Sequence, residues 1–308
     1  MWHAWQTFIV GKRSSPLIEF YQRNLVTNLM NLNNQLLDGS YRHGRYHNFT
    51  IYDPKQREII VAEVKDRVVH RMVYEYLVRV WDKSFCFDAW SCRVGKGLHG
   101  AIQRTSHNME KYKDGWLWRS DIAKFFNNID HDRLKFLLRT KIDKPNILDL
   151  LDKIIDSYHY ENKRGIPIGN LTSQIFANIY LNELDQFVLH SIKPLAYVRY
   201  GDDFIIWCTD EYTALCAQAV IKQFLCDELG LSINLKHDLV QPTRNKLSYL
   251  GVDIWPSGRR LSPKVMNRID KKLDAINSAS YYSLIKHHLP DRYRRRFQYK
   301  ILDILEHK

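Results

Sequence analysis

YVRYGDDFIIW, residues 197–207, sets two short apolar runs on either side of Gly201-Asp202-Asp203. Runs rich in Tyr, Val, Phe and Ile around a glycine-containing turn read as a β-hairpin, LAYVRY (195–200) followed by FIIWC (204–208), with two acids at its tip. Adjacent carboxylates repel, and holding them at the end of a buried sheet costs free energy unless a cation compensates. Two readings of the pair therefore stand: an ordinary turn, or a site for a hard divalent cation that prefers oxygen ligands.

A third acid bears on that choice. Asp121 ends the apolar stretch GWLWRS (115–120) and precedes Ile-Ala-Lys-Phe-Phe. Alone, it reads as the N-cap of a helix starting near Ile122. If the strand at 116–121 pairs with the hairpin, however, Asp121, Asp202 and Asp203 face one point. Three carboxylates around two Mg²⁺ ions about 3.5–4 Å apart are what phosphoryl transfer to a 3′-hydroxyl needs. Mn²⁺ suits the same carboxylates.

Outward from this centre the periodicities alternate. Ser15-Pro16 opens a helix whose apolar positions run from Ile18 to Leu36 and stop at Asp38-Gly39. YHNFTIY and REIIVAE, within 46–63, predict two strands around the turn Asp53-Pro54-Lys55-Gln56. Helices are expected over 65–82, 99–113, 131–140, 146–158, from Leu171 to about His190, and over 211–229. SYLGVDIW (248–255) reads as one strand, and the tail from 260 onward as helical. Hairpins mixed with longer crossovers favour an α+β fold with a small antiparallel sheet over a doubly wound parallel one.

The 308-residue chain carries a formal net charge of +12, which points to a polyanionic partner, nucleic acid or an anionic surface. Residues 259–308 hold thirteen Lys/Arg against five Asp/Glu, a net of +8, so the excess is concentrated in the tail. Five cysteines (86, 92, 208, 216 and 226) with no CxxC spacing suggest neither a zinc site nor a disulfide framework, and fit a reducing cytoplasm. The start lacks the apolar core of a signal peptide, and no apolar run approaches the ~20 residues of a membrane span.

The ordered segments SDIAKFFNNID (120–130), RGIPIGNLTSQIFANIYL (164–181), YVRYGDDFIIW (197–207), LGLSINLKH (229–237) and SYLGVDI (248–254) resemble motifs A to E of the reverse transcriptases. DRVVHRMVYEYL and SCRVGKGLHGAI resemble the fingers segments of the bacterial, intron-type enzymes, so the resemblance covers roughly residues 40–260. It implies a right-hand polymerase: helical and hairpin fingers over 1–115, an antiparallel-sheet palm over 116–258 with a fingers-like insertion near 140–165, and a short basic helical thumb over 259–308. By the same resemblance Asp121 and Asp202 bind both metals, Asp203 assists, and the Ile122 carbonyl completes one coordination shell. Phe126, five residues after Asp121, matches the aromatic gate that excludes a ribose 2′-hydroxyl; its plainer reading is a core aromatic. Lys55 and Arg57 fall where related enzymes cradle the triphosphate, and cations there meet a physical need. Arg93 and Lys96 are candidates for triphosphate or template phosphates, Lys236 for protonating pyrophosphate, and Leu250-Gly251 for the primer grip, where glycine permits close backbone approach.

Segment 165–174 narrows the family. Most intron and retron relatives carry glutamine between the motif B proline and glycine; this chain has Ile168 ahead of Gly169. Its IGN-x-x-SQ form resembles the reverse transcriptases of diversity-generating retroelements, bacterial and phage enzymes that copy a template-repeat RNA while misreading adenines. An isoleucine offers bulk without hydrogen bonds, so base discrimination should fall; Ile168 also reads as a neutral packing variant. The resemblance implies template RNA, a DNA or RNA primer, dNTPs and a small basic oligomeric accessory variability protein as partners, with no membrane. Arg292, Arg294, Arg295 and Arg296, interleaved with Tyr293 and Phe297, read as a phosphate-contacting face or a surface for an acidic protein. The rival readings are a retron, group II intron-like or abortive-infection reverse transcriptase, a catalytically silent RNA-binding scaffold, and more distantly a metal-dependent nuclease.

Overall fold

The computed structural model describes residues 1–12, 15–52, 56–274, 277–289 and 291–306. Nine strands lie in chain order: β1 (Tyr46–Tyr52), β2 (Gln56–Ala62), β3 (Trp116–Asp121), β4 (Ala196–Tyr200), β5 (Asp203–Cys208), β6 (Leu239–Pro242), β7 (Leu247–Tyr249), β8 (Val252–Trp255) and β9 (Gly258–Leu261). Every strand pair is antiparallel, and helices account for most of the remainder, so the fold is the mixed helix and antiparallel-sheet class. Contacts divide the chain into two compact units.

The first unit comprises Met1–Cys86, Ile122–Phe187 and Lys222–Ile233. Its centre is the helix Leu171–Phe187, with Ile175, Phe176, Ile179, Tyr180, Leu181 and Leu184 in the core and Thr172, Ser173, Asn178, Asn182 and Asp185 buried beside them. The helix Val64–Trp81 packs along it through Val68, Val69, Val73 and Leu77. The N-terminal helix expected over 15–38 is broken at Asn24 into Pro16–Arg23 and Leu25–Leu37. Ser15 caps the first by accepting from Ile18 N, and Asn28 Nδ2 donates to the Tyr21 carbonyl across the break. A helix at Trp2–Ile9, not anticipated, buries Trp5 and Phe8. β1 and β2 form the expected hairpin in the register Tyr46↔Ala62 to Tyr52↔Gln56. Its turn at Asp53-Pro54-Lys55 lies outside the described residues.

The second unit comprises Phe87–Asp121, Val188–Ile221 and Asn234–Lys308. Its main sheet has the order β4-β5-β3-β6, so the strand that ends in Asp121 lies beside the hairpin of Asp202 and Asp203. The second sheet, β7-β8-β9, corrects the single strand expected at 248–255. Leu250 (φ 49°) and Gly251 (φ 83°) take left-handed conformations, and two consecutive such residues form a tight hairpin turn that reverses the chain. The tail is likewise not helical from its start: β9 comes first, then helices Pro263–Lys272, Ser278–His288 and Asp291–Glu306. One core joins Leu117, Val198, Ile205 and Trp207 of the main sheet to Tyr249, Val252 and Ile254, and to Ile269, Ile285 and Phe297 of the terminal helices. Among the described residues, no helix is long and apolar enough to cross a membrane.

Candidate active site

In the second unit, two-residue alternation along β3 puts Arg119 and Asp121 on one face at its C-terminal end. The antiparallel register sets Asp121 opposite Asp203 and Arg119 opposite Ile205. On the other side of β5, Tyr200 pairs with Asp203, so Gly201 and Asp202 form the two-residue loop, with Gly201 at φ 66°. Asp121 is thus brought directly across from the hairpin tip, as expected from the sequence, and its peptide carbonyl accepts from Asn234 N at 2.9 Å.

The three acids meet different surroundings. Asp121 Oδ1 is buried and accepts no hydrogen bond. Asp203 instead takes two charge-assisted bonds from Arg119, Nε to Oδ1 at 3.1 Å and Nη2 to Oδ2 at 2.7 Å. The guanidinium also lies 5.4 Å from the Tyr249 ring centroid and donates from Nη1 to the Ser248 carbonyl. Burial pushes the Asp203 carboxyl above its ordinary pKa, and the bonds from Arg119 only partly offset this. Burial opposes charge on Arg119 as well, but its bonds and attraction to Asp203 prevail and raise its pKa. Asp202, half-buried, sits at the loop. Among the described residues no group of three or more His, Cys, Asp or Glu side chains is gathered to hold a metal. A buried carboxylate oxygen without a donor, as at Asp121, is nevertheless the donor chemistry that a divalent cation takes.

The other expected residues of this unit are spread around it. Lys96 Nζ donates to the Phe87 carbonyl at 2.8 Å and lies 3.4 Å from the Phe87 ring centroid and 4.1 Å from that of Trp90. Arg93 Nη1 donates to the Ala89 carbonyl at 3.2 Å. Lys236 is exposed on the short turn Leu235–His237, and Leu250-Gly251 forms the β7–β8 turn. On the last helix, Arg292 lies 5.0 Å from the Tyr293 ring centroid and Arg294 pairs with Asp291, while Arg295 and Arg296 are exposed. Phe297 belongs to the core, not to that basic face.

In the first unit, Phe126 sits half-buried on the one-turn helix Phe125–Asn128, its ring 5.4 Å from that of Phe125. The Phe126 carbonyl accepts from Ile166 N at 2.8 Å, which ties it to the segment that holds Ile168. Ile168 is half-buried, and its carbonyl accepts from Ile60 N at 2.8 Å. Asn170 completes the join: its Oδ1 accepts from Ala62 N at 3.1 Å and its Nδ2 donates to the Ile60 carbonyl at 2.7 Å. Gly169 (φ 119°) passes so close to β2 that a Cβ would stand 2.8 Å from Ile59 Cγ2. Phe126, Ile168, Gly169 and the strand bearing exposed Arg57 are therefore one assembly. Ile122 is buried in this unit and bridges Ile233. Lys55 lies outside the described residues.

Sequence reasoning missed Arg119 and the role of Asn170. A signal for the first was present, since a cation two residues before an acid on a strand shares its face. None marked the second, because an amide that mimics a strand neighbour looks like any loop asparagine.

The profile of the reverse transcriptase (RNA-dependent DNA polymerase) family matches residues 52–254. Protein YkfC of Escherichia coli K12 is 25% identical over 230 residues, 60% of this chain and 60% of that protein. An uncharacterized 91 kDa protein in the cob intron of Schizosaccharomyces pombe is 23% identical over 262 residues, 65% of this chain and 32% of that protein. The group II intron-encoded protein LtrA of Lactococcus lactis is 28% identical over 141 residues, 44% and 23%. The matched regions span at most about three fifths of these relatives' own lengths. Among solved structures, apo telomerase of Candida tropicalis truncated from its C-terminal domain has a TM-score of 0.54 at 14% identity, covering 72% of this chain and 55% of that one. Candida albicans telomerase with a fragment of telomeric RNA also gives 0.54, at 11% identity, covering 80% and 50%. At such identities the likeness is one of fold, and the fold is that of the right-hand polymerases.

Proposed function

Because the chain belongs to the reverse transcriptase family, we propose that it is an RNA-directed DNA polymerase in which a primer 3′-hydroxyl attacks the α-phosphate of a dNTP and pyrophosphate leaves. The observation that carries this reading is the register that sets Asp121 opposite Asp203 beside the Gly201-Asp202 loop, with Asp121 Oδ1 buried and lacking a donor. Asp121 and Asp202 would hold the divalent cations, with the Ile122 carbonyl beside them and Asp203 held by Arg119. Bound cations supply activation of the hydroxyl and neutralise charge on the leaving group. Phe126 would exclude the 2′-hydroxyl of a ribonucleotide, its ring packed on Phe125 and its main chain held by Ile166 N. By the family resemblance Arg57 and Lys55 are the candidates for the triphosphate, Lys236 for the pyrophosphate, and Leu250-Gly251 for the primer. Template RNA is the expected polyanion for the net charge of +12, a reading that the telomerase–RNA neighbour favours.

A finer reading rests on Ile168. Its carbonyl is tied to β2, so its apolar side chain is set in a fixed frame, at the position where, by the resemblance, most intron and retron enzymes carry glutamine. We assign the chain to the diversity-generating class, which makes adenine-mutagenic cDNA from a template-repeat RNA with a small basic accessory protein.

Primer extension on a defined RNA template with Mg²⁺, followed by product sequencing, tests both readings. Asp202→Asn should abolish synthesis, and wild-type errors should concentrate opposite adenines and decline in Ile168→Gln. Accurate wild-type synthesis keeps the polymerase and removes the diversification, returning the chain to the retron, group II intron-like or abortive-infection classes. RNA binding without synthesis, with or without the accessory protein, leaves a scaffold.

A further inference from the structure

A cavity of about 270 Å³ opens within the first unit between the N-terminal helix, the helix Val64–Trp81 and the start of the helix Leu171–Phe187. Its lining includes Lys12, Arg67, His70 and Arg71, with Gly169 and Asn170 at one side. Three cationic side chains converging on one small space repel one another. Arg71 has a carboxylate partner, Glu75, whose Oε1 accepts from its Nε at 2.8 Å. Arg67 is half-buried, lies 5.4 Å from the Phe8 ring centroid, and its Nε is buried without an acceptor. Among the described residues, neither Arg67 nor Lys12 has a carboxylate partner. The Lys12 ammonium sits 3.4 Å from the centroid of the same Phe8 ring. Its pKa is held down to about 8 by burial of the ammonium and then by Arg67 and Arg71, although the residue as a whole is exposed.

His70 also lines the cavity. It is 1% exposed, and its Nδ1 has no hydrogen-bond partner. Its Nε2 lies 3.1 Å from Nε2 of His43, whose Nδ1 lies 2.8 Å from the Gly44 carbonyl. Two guanidinium groups and an ammonium along one cavity suit one ligand chemistry, a phosphate group.

We propose that this cavity is a phosphate-binding pocket, with Arg67 and Lys12 as the principal contacts. The phosphate belongs either to an RNA strand or to a small phosphorylated molecule, and two arms separate these sources. The inference stands whether or not the chain polymerises DNA.

The full chain and its Lys12→Gln and Arg67→Gln variants are titrated with inorganic phosphate, read as the shift in melting temperature. In parallel, each is titrated with single-stranded RNA across a salt series, with Lys144→Gln as a control at an exposed cation outside the pocket. If the phosphate is part of a strand, each pocket variant weakens RNA binding several-fold and flattens the slope of log K against log salt by about 0.7, the value for one phosphate contact on single strands. If the ligand is small, inorganic phosphate raises the melting temperature of the wild type and of Lys144→Gln but not of the pocket variants. Pocket variants that match wild type in both arms overturn the proposal, and so does an equal effect of Lys144→Gln. Lys12 is exposed, so its substitution keeps the test valid should Arg67→Gln fold poorly.

Discussion

Arg119 ties three things together: the second acid of the hairpin, the Tyr249 ring and the Ser248 carbonyl. Asp203 is pushed towards its neutral form by burial, and Arg119 is what opposes that push. Removing the arginine leaves a carboxylate short of water and without its partner, a costlier state than losing both charges together. Arg119→Met should therefore destabilise the protein by about 2 kcal/mol, a buried-pair loss reduced because both side chains retain some solvent contact. Urea unfolding measures it, and the double variant Arg119→Met/Asp203→Leu should recover most of the loss. A single and a double variant equally unstable would show that the two side chains act independently.

At the scale of elements, the join between the hairpin strand β2 and the segment Ile166–Asn170 is the most constrained feature. Gly169 combines φ 119° with a Cβ position 2.8 Å from Ile59 Cγ2 and 3.3 Å from the Ile60 carbonyl. Gly169→Ala must shift that segment or strain it, at a cost of about 1–3 kcal/mol. Its thermal midpoint should drop accordingly, whereas a midpoint equal to wild type would mean that the join yields freely. Elements whose period is long and uninterrupted were legible in the sequence: the helix expected over 211–229 forms as Glu211–Leu229, and the hairpin acids sit where the alternation put them. What hid were interruptions inside apolar patterns. SYLGVDIW keeps its apolar positions through Leu250-Gly251, so nothing in its hydropathy betrays a chain reversal, and Asn24 splits a helical period without disturbing it. β6 is four residues long, too short to show any period. At the site, the positions of the acids could be read, but the engagement of Asp203 by Arg119 depends on rotamers and burial that no spacing encodes.

For the molecule as a whole, each unit carries a buried histidine that burial holds neutral. His70, in the first, has its pKa lowered to about 3 by burial and by His43; His288, in the second, to about 3 by burial, then Arg259, His99 and His287. Unfolding frees both to titrate near 6.5, so the unfolded chain binds more protons below that pH. Their contribution to stability is complete above pH 6.5 and is lost progressively as the pH falls towards 3, by about 2 kcal/mol at pH 5 for the fully buried His70 and by less for His288, which solvent screens. Melting followed by circular dichroism should show a plateau from pH 7 to 8 and a decline below 6; an unchanged midpoint at pH 5 would remove this account. The two units are also interleaved along the chain, each built from three separate segments. Residues 222–233 close the first unit, where Ser232 accepts from Ala123 N and the Leu229 carbonyl from Tyr180 Oη. A ribosome that has released the first 190 residues has therefore supplied most of that unit and not its last piece. Its central helix must wait, unsealed, while part of the other unit is synthesised, and during that interval its core side chains stay open to wrong partners.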